Sequence, residues 1–99
     1  MSKVYTIMEI QDRLVPVFES YGVHSATLFG SLAKGNATEH SDLDLLVDSG
    51  LRGLRFVGLI EAVRNALMLP VDVLDVKHVE ENSRIDNEIR QTGVKIYEK

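Results

Sequence analysis

The sequence is 99 residues long, 44% hydrophobic and 26% charged, with a formal net charge of −4; a chain of this length holds one core, and a single domain over residues 1–99 is expected. No apolar run approaches the roughly 20 residues needed to cross a bilayer, and Met1 to Thr6 lacks the basic-then-apolar layout of a signal peptide, so the expected location is cytoplasmic, away from membranes. The absence of cysteine excludes disulfides and thiolate-bound zinc, which leaves oxygen and imidazole as ligands, and the scattered Lys and Arg form no extended nucleic-acid surface.

Thr6 followed by Glu9 reads as a capping box, and Ile7, Ile10, Leu14, Val17, Phe18 and Tyr21 recur at helical spacing. A helix is expected from about 7 to 20, bent or broken near Pro16 and stopped at Gly22. Val23 to Phe29 reads as a strand delivering Gly30-Ser31, and the polar stretch Lys34 to Ser41 leads to a second strand, Leu43 to Val47. Phe56, Ile60, Val63 and Leu67 trace a helical stripe that Pro70 ends, and Val71 to Val76 reads as a third strand. Strand, helix, strand implies a parallel crossover. A polar helix from about 79 to 91 rests on Ile85 and Ile89, and Val94 to Tyr97 is either a short strand or a packed tail. The histidines His24, His40 and His78 show no ligand spacing and read as surface or boundary residues.

Asp42 and Asp44 stand two apart on the second strand, so their carboxylates leave the same face, roughly 7 Å apart. Asp72 opens the third strand at the same edge of a parallel pair, which lets all three meet. Carboxylates so crowded need a cation: two unit charges at 4 Å repel by about 4 kcal/mol at an effective dielectric of 20. Mg²⁺ suits an all-oxygen site completed by water and phosphates, and two such ions support the attacking and leaving oxygens of an in-line displacement. By strand parity Asp75 faces the other side of the sheet and Asp48 lies roughly 13 Å along from Asp44, so both read as solvated strand-end charges.

Gly30 permits close approach of a phosphate and Ser31 adds a hydroxyl beside its amide. To set Gly30-Ser31 beside Asp42 the chain must turn back, so the first two strands are expected antiparallel and the sheet mixed. Gly30-Ser31, ten residues, then Asp42-Leu43-Asp44 fixes four positions that would coincide by chance in roughly one chain of this length in a thousand.

Leu28-Phe29-Gly30-Ser31-Leu32-Ala33-Lys34-Gly35 followed by Ser41-Asp42-Leu43-Asp44-Leu45-Leu46-Val47 resembles the signature of the minimal nucleotidyltransferase (MNT) family of the DNA polymerase β superfamily, and the likeness extends from about residue 7 to Tyr97. It implies a small α/β (α+β) domain, a mixed sheet flanked by helices. It implies that Asp42 and Asp44 hold two Mg²⁺ ions, and that Asp72, in Val71-Asp72-Val73, holds one of them and helps deprotonate the attacking hydroxyl. It also implies that Gly30 and Ser31 bind the triphosphate of ATP, with Lys34 and Ser41 as further nucleotide contacts. Many relatives carry Arg at the positions of Leu32 and Lys34.

About 90 residues are taken by this core, so the acceptor is expected on another molecule. Small proteins of the resembled kind are commonly encoded beside a helical HEPN ribonuclease toxin and act as its antitoxin by attaching AMP to a toxin tyrosine. Two alternatives remain at this point: a non-catalytic module that inhibits its partner by covering it, and a transferase for a small hydroxylated compound.

Overall fold

The computed structural model describes residues 6–30, 43–68 and 70–99. The first helix, α1 (Ile7–Tyr21), opens on the capping box read from the sequence: the Thr6 hydroxyl accepts from the Glu9 amide and the Glu9 carboxylate accepts from the Thr6 amide, each at 3.1 Å. It closes on Gly22 in the left-handed conformation, φ 68°, where a side chain would be strained. Of the bend or break expected near Pro16, the break does not occur: α1 continues through the proline over the span read from the sequence. An interior proline costs about 3 kcal/mol, whereas Ile10, Leu14 and Phe18 are all buried along the helix and are worth about 1.5–3 kcal/mol apiece.

Strand β1 (Ser25–Phe29) runs antiparallel to β2 (Leu43–Asp48), helix α2 (Leu54–Leu67) follows, and β3 (Val71–Asp75) lies parallel to β2. A single 3-10 turn (Val76–His78) leads to helix α3 (Arg84–Thr92), and β4 (Val94–Glu98) returns antiparallel to β1. The order across the sheet is β3-β2-β1-β4, mixed as expected. The third helix starts at Arg84 rather than near residue 79, because the Lys77 amide bonds to Asp75 and turns the chain, and Ser83 caps the helix through the Asp86 amide.

Strand parity divides the sheet into two unlike faces. Leu43, Leu45 and Val47 of β2, with Ala26, Leu28, Val71 and Ile96, form one core with Ile10, Leu14 and Phe18 of α1 and Leu59, Val63 and Leu67 of α2. The residues between them, Asp44, Leu46 and Asp48, leave the other face, half-buried. Helix α3 packs there against β1 and has no fully buried residue. Among the described residues no helix is long and apolar enough to cross a membrane.

Asp75 corrects a reading made from the sequence. Its parity is as expected, on the core side in register with Val47, but it is 2% exposed and is no solvated strand end. The hydroxyl and amide of Ser49 and the amide of Lys77 all donate to its carboxylate. The Ser49 hydroxyl in turn accepts from the Leu51 amide at 3.1 Å, and the Lys77 ammonium donates to the Leu51 carbonyl at 2.7 Å. This clasp ties the end of β3 to the loop that launches α2. Burial alone would raise the Asp75 pKa, but the Ser49 and Lys77 hydrogen bonds and the Lys77 charge together hold it below the ordinary value.

A carboxyl lowered by folding adds stability above its unfolded pKa and loses it as the pH falls through the lower folded value. Asp75→Ala is therefore expected to cost about 2–3 kcal/mol at pH 7, by leaving buried donors without an acceptor, and the cost should shrink below about pH 4. Thermal unfolding of both proteins between pH 3 and 7 checks this; an equal loss at every pH would show that the charge contributes nothing.

Candidate active site

The site is built where β1 ends and β2 and β3 run side by side. Phe29 is in register with Asp44 across the antiparallel pair, and Asp44 with Asp72 across the parallel pair. The two aspartates thus stand abreast on neighbouring strands, about 4.8 Å apart through the backbone, and leave the face opposite the α1–α2 core. Asp72 is exposed and Asp44 half-buried. From the sequence, Asp42, Asp44 and Asp72 are expected to meet where the two parallel strands open; the register sets Asp44 alongside Asp72, with Leu43 opposite Val71.

Gly30 follows Phe29 with φ 85°. A Cβ placed on it would collide with Oδ2 of Asp44 and lie 3.3 Å from that carboxylate's carbon. The backbone at Gly30 therefore sits directly against the Asp44 carboxylate, an approach open only to glycine on both conformational and steric grounds.

Asp44 and Asp72 face a cavity of about 400 Å³, with Phe29 beside them, Ile85 and Glu88 from α3, and Ile60 and Arg64 from α2. The sequence marked Ile60 and Ile85 as helix residues but did not place them, or Arg64 and Glu88, at the site. The signal available for α3 was the i, i+3 spacing of Ile85 and Glu88, which puts both on one helical face, but only the docking of α3 makes that face a wall of the site. Asp48, four residues along the strand from Asp44, does not line the cavity. His24 and His78 are exposed, His78 resting edge-on against Phe56 at 6.0 Å. Asp42, Ser31, Lys34 and Ser41, and with them His40, lie outside the described residues.

The donor chemistry fits a hard divalent cation. Two carboxylates abreast, without sulfur or imidazole, match Mg²⁺, which keeps several waters and takes one or two carboxylates plus substrate phosphates. Among the described residues no three His, Cys, Asp or Glu side chains gather into a metal-binding group; Asp44 and Asp72 form a pair. Beside them the bend at Gly30 offers backbone where a polyphosphate could approach without meeting a side chain.

A mixed sheet with a glycine bend against an acidic pair is the architecture of a nucleotidyl-transfer domain, and comparison with known proteins agrees. Residues 12–99 match the family described as polymerase beta, nucleotidyltransferase. A provisionally named protein adenylyltransferase of Methanocaldococcus jannaschii is 37% identical over 70 residues, covering 69% of this chain and 75% of its own. The chain belongs to the polymerase β-type nucleotidyltransferase family. Among solved structures, a toxin-antitoxin with AMP-PNP superposes with a TM-score of 0.75 at 18% identity, over 90% of this chain and 73% of the other. A tri-AMPylated HEPN toxin in complex with MNT antitoxin from Shewanella oneidensis gives 0.70 at 15% identity, over 95% of this chain and 74% of the matched one. At those identities the likeness establishes the fold.

Gly30→Ala is expected to lower the melting temperature by roughly 4–10 °C, from the left-handed φ and the collision with Asp44. Adding Asp44→Ala should recover part of the loss, since it removes the struck side chain but not the backbone strain. Purely additive losses in this double-mutant cycle would mean that the two residues do not touch.

Proposed function

We propose that this protein is a Mg²⁺-dependent adenylyltransferase that moves AMP from ATP onto a tyrosine hydroxyl of a HEPN-type toxin and so acts as its antitoxin. The observation that carries the reading is the Gly30 bend pressed against Asp44, with Asp72 abreast on an open cavity. The adenylyltransferase name of the archaeal relative and the AMPylated toxin in the Shewanella oneidensis complex support the choice of AMP and of acceptor.

In this reading the Gly30 backbone, with Ser31, Lys34 and Ser41, cradles the triphosphate, and Asp42, Asp44 and Asp72 hold the metal. Bound Mg²⁺ supplies charge neutralisation for the triphosphate and for the departing pyrophosphate. Asp44 lies between Gly30 and Asp72 in the sheet, so it aligns the phosphate side of the site with the acceptor side. Asp72, exposed at the outer strand, takes the proton from the incoming hydroxyl. The hydroxyl oxygen then bonds to the α-phosphorus, the bond from that phosphorus to the α,β-bridging oxygen breaks, and pyrophosphate leaves.

The roles of the two aspartates separate experimentally. Asp44→Asn should abolish the rise in melting temperature produced by Mg²⁺ with ATP, a rise that follows from ligand binding to the folded state alone. Asp72→Asn should keep much of that rise while transfer falls by about 10²–10⁴-fold. Mass spectrometry of the toxin after incubation should show increments of one adenylyl unit with the parent protein and none with either variant. Neutralisation of the toxin by Asp44→Asn protein, without any mass change, would replace catalysis with inhibition by covering.

A further inference from the structure

The cavity beside the acidic pair continues around the outer strand of the sheet. Val73 and Leu74 are consecutive residues of β3, so their side chains leave opposite faces, yet both line it. Its walls include Ile60 and Arg64 from α2, on the core face, and Ile85 and Glu88 from α3, on the other. Helices on opposite faces meet in one cavity only beyond the edge of the sheet, and β3 is that edge.

The ladder shows which backbone groups the edge presents. The Leu43 amide donates to the Pro70 carbonyl, and Leu43 is in register with Val71. In a parallel pair this directs the N–H and C=O of Asp72 and Leu74 towards β2 and those of Val71 and Val73 outward. The Val71 carbonyl accordingly accepts from Nε of Arg64, at 3.4 Å, from outside the sheet. The outward N–H and C=O of Val73 have no partner among the described residues. They lie next in the chain to Asp72, with Ile60 on one side of the edge and Ile85 on the other.

We infer that the acceptor protein enters as an extended segment that adds to the outer edge of β3, bonding through its main chain to Val73 and delivering its hydroxyl residue to Asp72. Strand addition of this kind takes affinity from main-chain hydrogen bonds and selectivity from side chains alternating into contacts above and below the sheet. Ile60 and Ile85 provide an apolar contact on each side. Asp44 and Asp72 are taken up by the metal in this reading, and among the other described lining residues Glu88 is matched by Arg64, so the segment that fits carries little net charge around its tyrosine. Docking also explains how a flexible hydroxyl is held in line with the α-phosphorus: the added strand sets its register against β3, and Asp72 is one residue from the bonded position. The inference rests on the protein-adenylylating reading of the same site.

The test uses the whole chain with the toxin protein, and with a synthetic peptide of about ten residues spanning the toxin's modified tyrosine. Val73→Pro removes the outward N–H without touching the ladder to β2, a place where an edge strand accepts proline; Val73→Thr keeps it. Val73→Pro should raise the KM for toxin and peptide about tenfold, the worth of roughly one main-chain hydrogen bond, and Val73→Thr should stay within about twofold. The Mg²⁺-ATP thermal shift, read in parallel, shows whether the donor site and the fold have survived. Hydrogen exchange on the Asp44→Asn protein, which needs no proline variant to fold, should show the Val73 amide protected on adding toxin. Protection confined to other surfaces, such as the exposed Leu54, Val57 and Met68, or a KM unchanged by Val73→Pro, overturns the edge-docking inference while leaving adenylylation standing. If the parent protein adds no AMP to the toxin, the functional reading fails and this inference falls with it.

Discussion

The alternation along β2 is the constraint on which the rest of the molecule depends. Leu43, Leu45 and Val47 are each buried against α1 and α2, and burying three such side chains is worth about 5–9 kcal/mol. A slip of one residue would put Asp44 and Asp48 into that core and the leucines into solvent. The carboxylate at Asp44 is thus aimed by its apolar neighbours: its face, its level opposite Phe29 and its place beside Asp72 all follow from where β2 must sit to bury its other side. Gly30 completes the arrangement from the neighbouring strand, since only a residue without a side chain can turn there against Asp44.

A second carboxylate serves the same sheet in the opposite way. Asp75 is buried on the core side, where an uncompensated charge would be costly, and it is held by Ser49, by the Lys77 amide and by the nearby ammonium. Those partners come from both sides of α2 in the chain, so the bond set ties the β2–α2 loop to the end of β3. Because Asp72 lies three residues before Asp75 on the same short strand, the clasp that anchors one also limits how far the other can slide along β2. Two acidic residues on one strand therefore have opposite surroundings, one desolvated and fully bonded, the other exposed at the cavity.

The open side of the molecule is as specific as the packed side. Among the described residues α3 packs mainly on β1 and α2 on α1 and β3, and residues of both helices line the cavity that runs along the β3 edge next to Asp72. Long, flat edge strands invite aggregation, and proteins shorten or flank them. Here β3 has five residues, its first outward carbonyl is bonded by Arg64, and its end turns into the Asp75 clasp. What remains among the described residues is a short stretch of outward backbone around Val73, next to Asp72.

Much of this was legible in local pattern. The capping box at Thr6 and Glu9, the helical stripes, the period-2 run of β2 and the antiparallel and parallel pairings all follow from spacing along the chain, because they depend on neighbours within a few residues. The Gly30-Ser31 and Asp42-Leu43-Asp44 spacing pointed to phosphate and metal chemistry for the same reason: strand parity alone puts two carboxylates on one face. Whether α1 would bend or break at Pro16 was not legible, since the burial that offsets the proline comes from the sheet and α2. The exact register that seats Asp44 beside Asp72 was not legible either, because it is set by how the crossover through α2 packs. Asp75 reads in sequence as an exposed strand-end charge, and only the return of Ser49 and Leu51 past the end of β3 shows it to be an internal clasp. Local sequence determined which residues could carry the chemistry and which way each strand faces; the tertiary structure decided which of them meet, because burial and hydrogen bonding between segments distant in the chain depend on the packed whole.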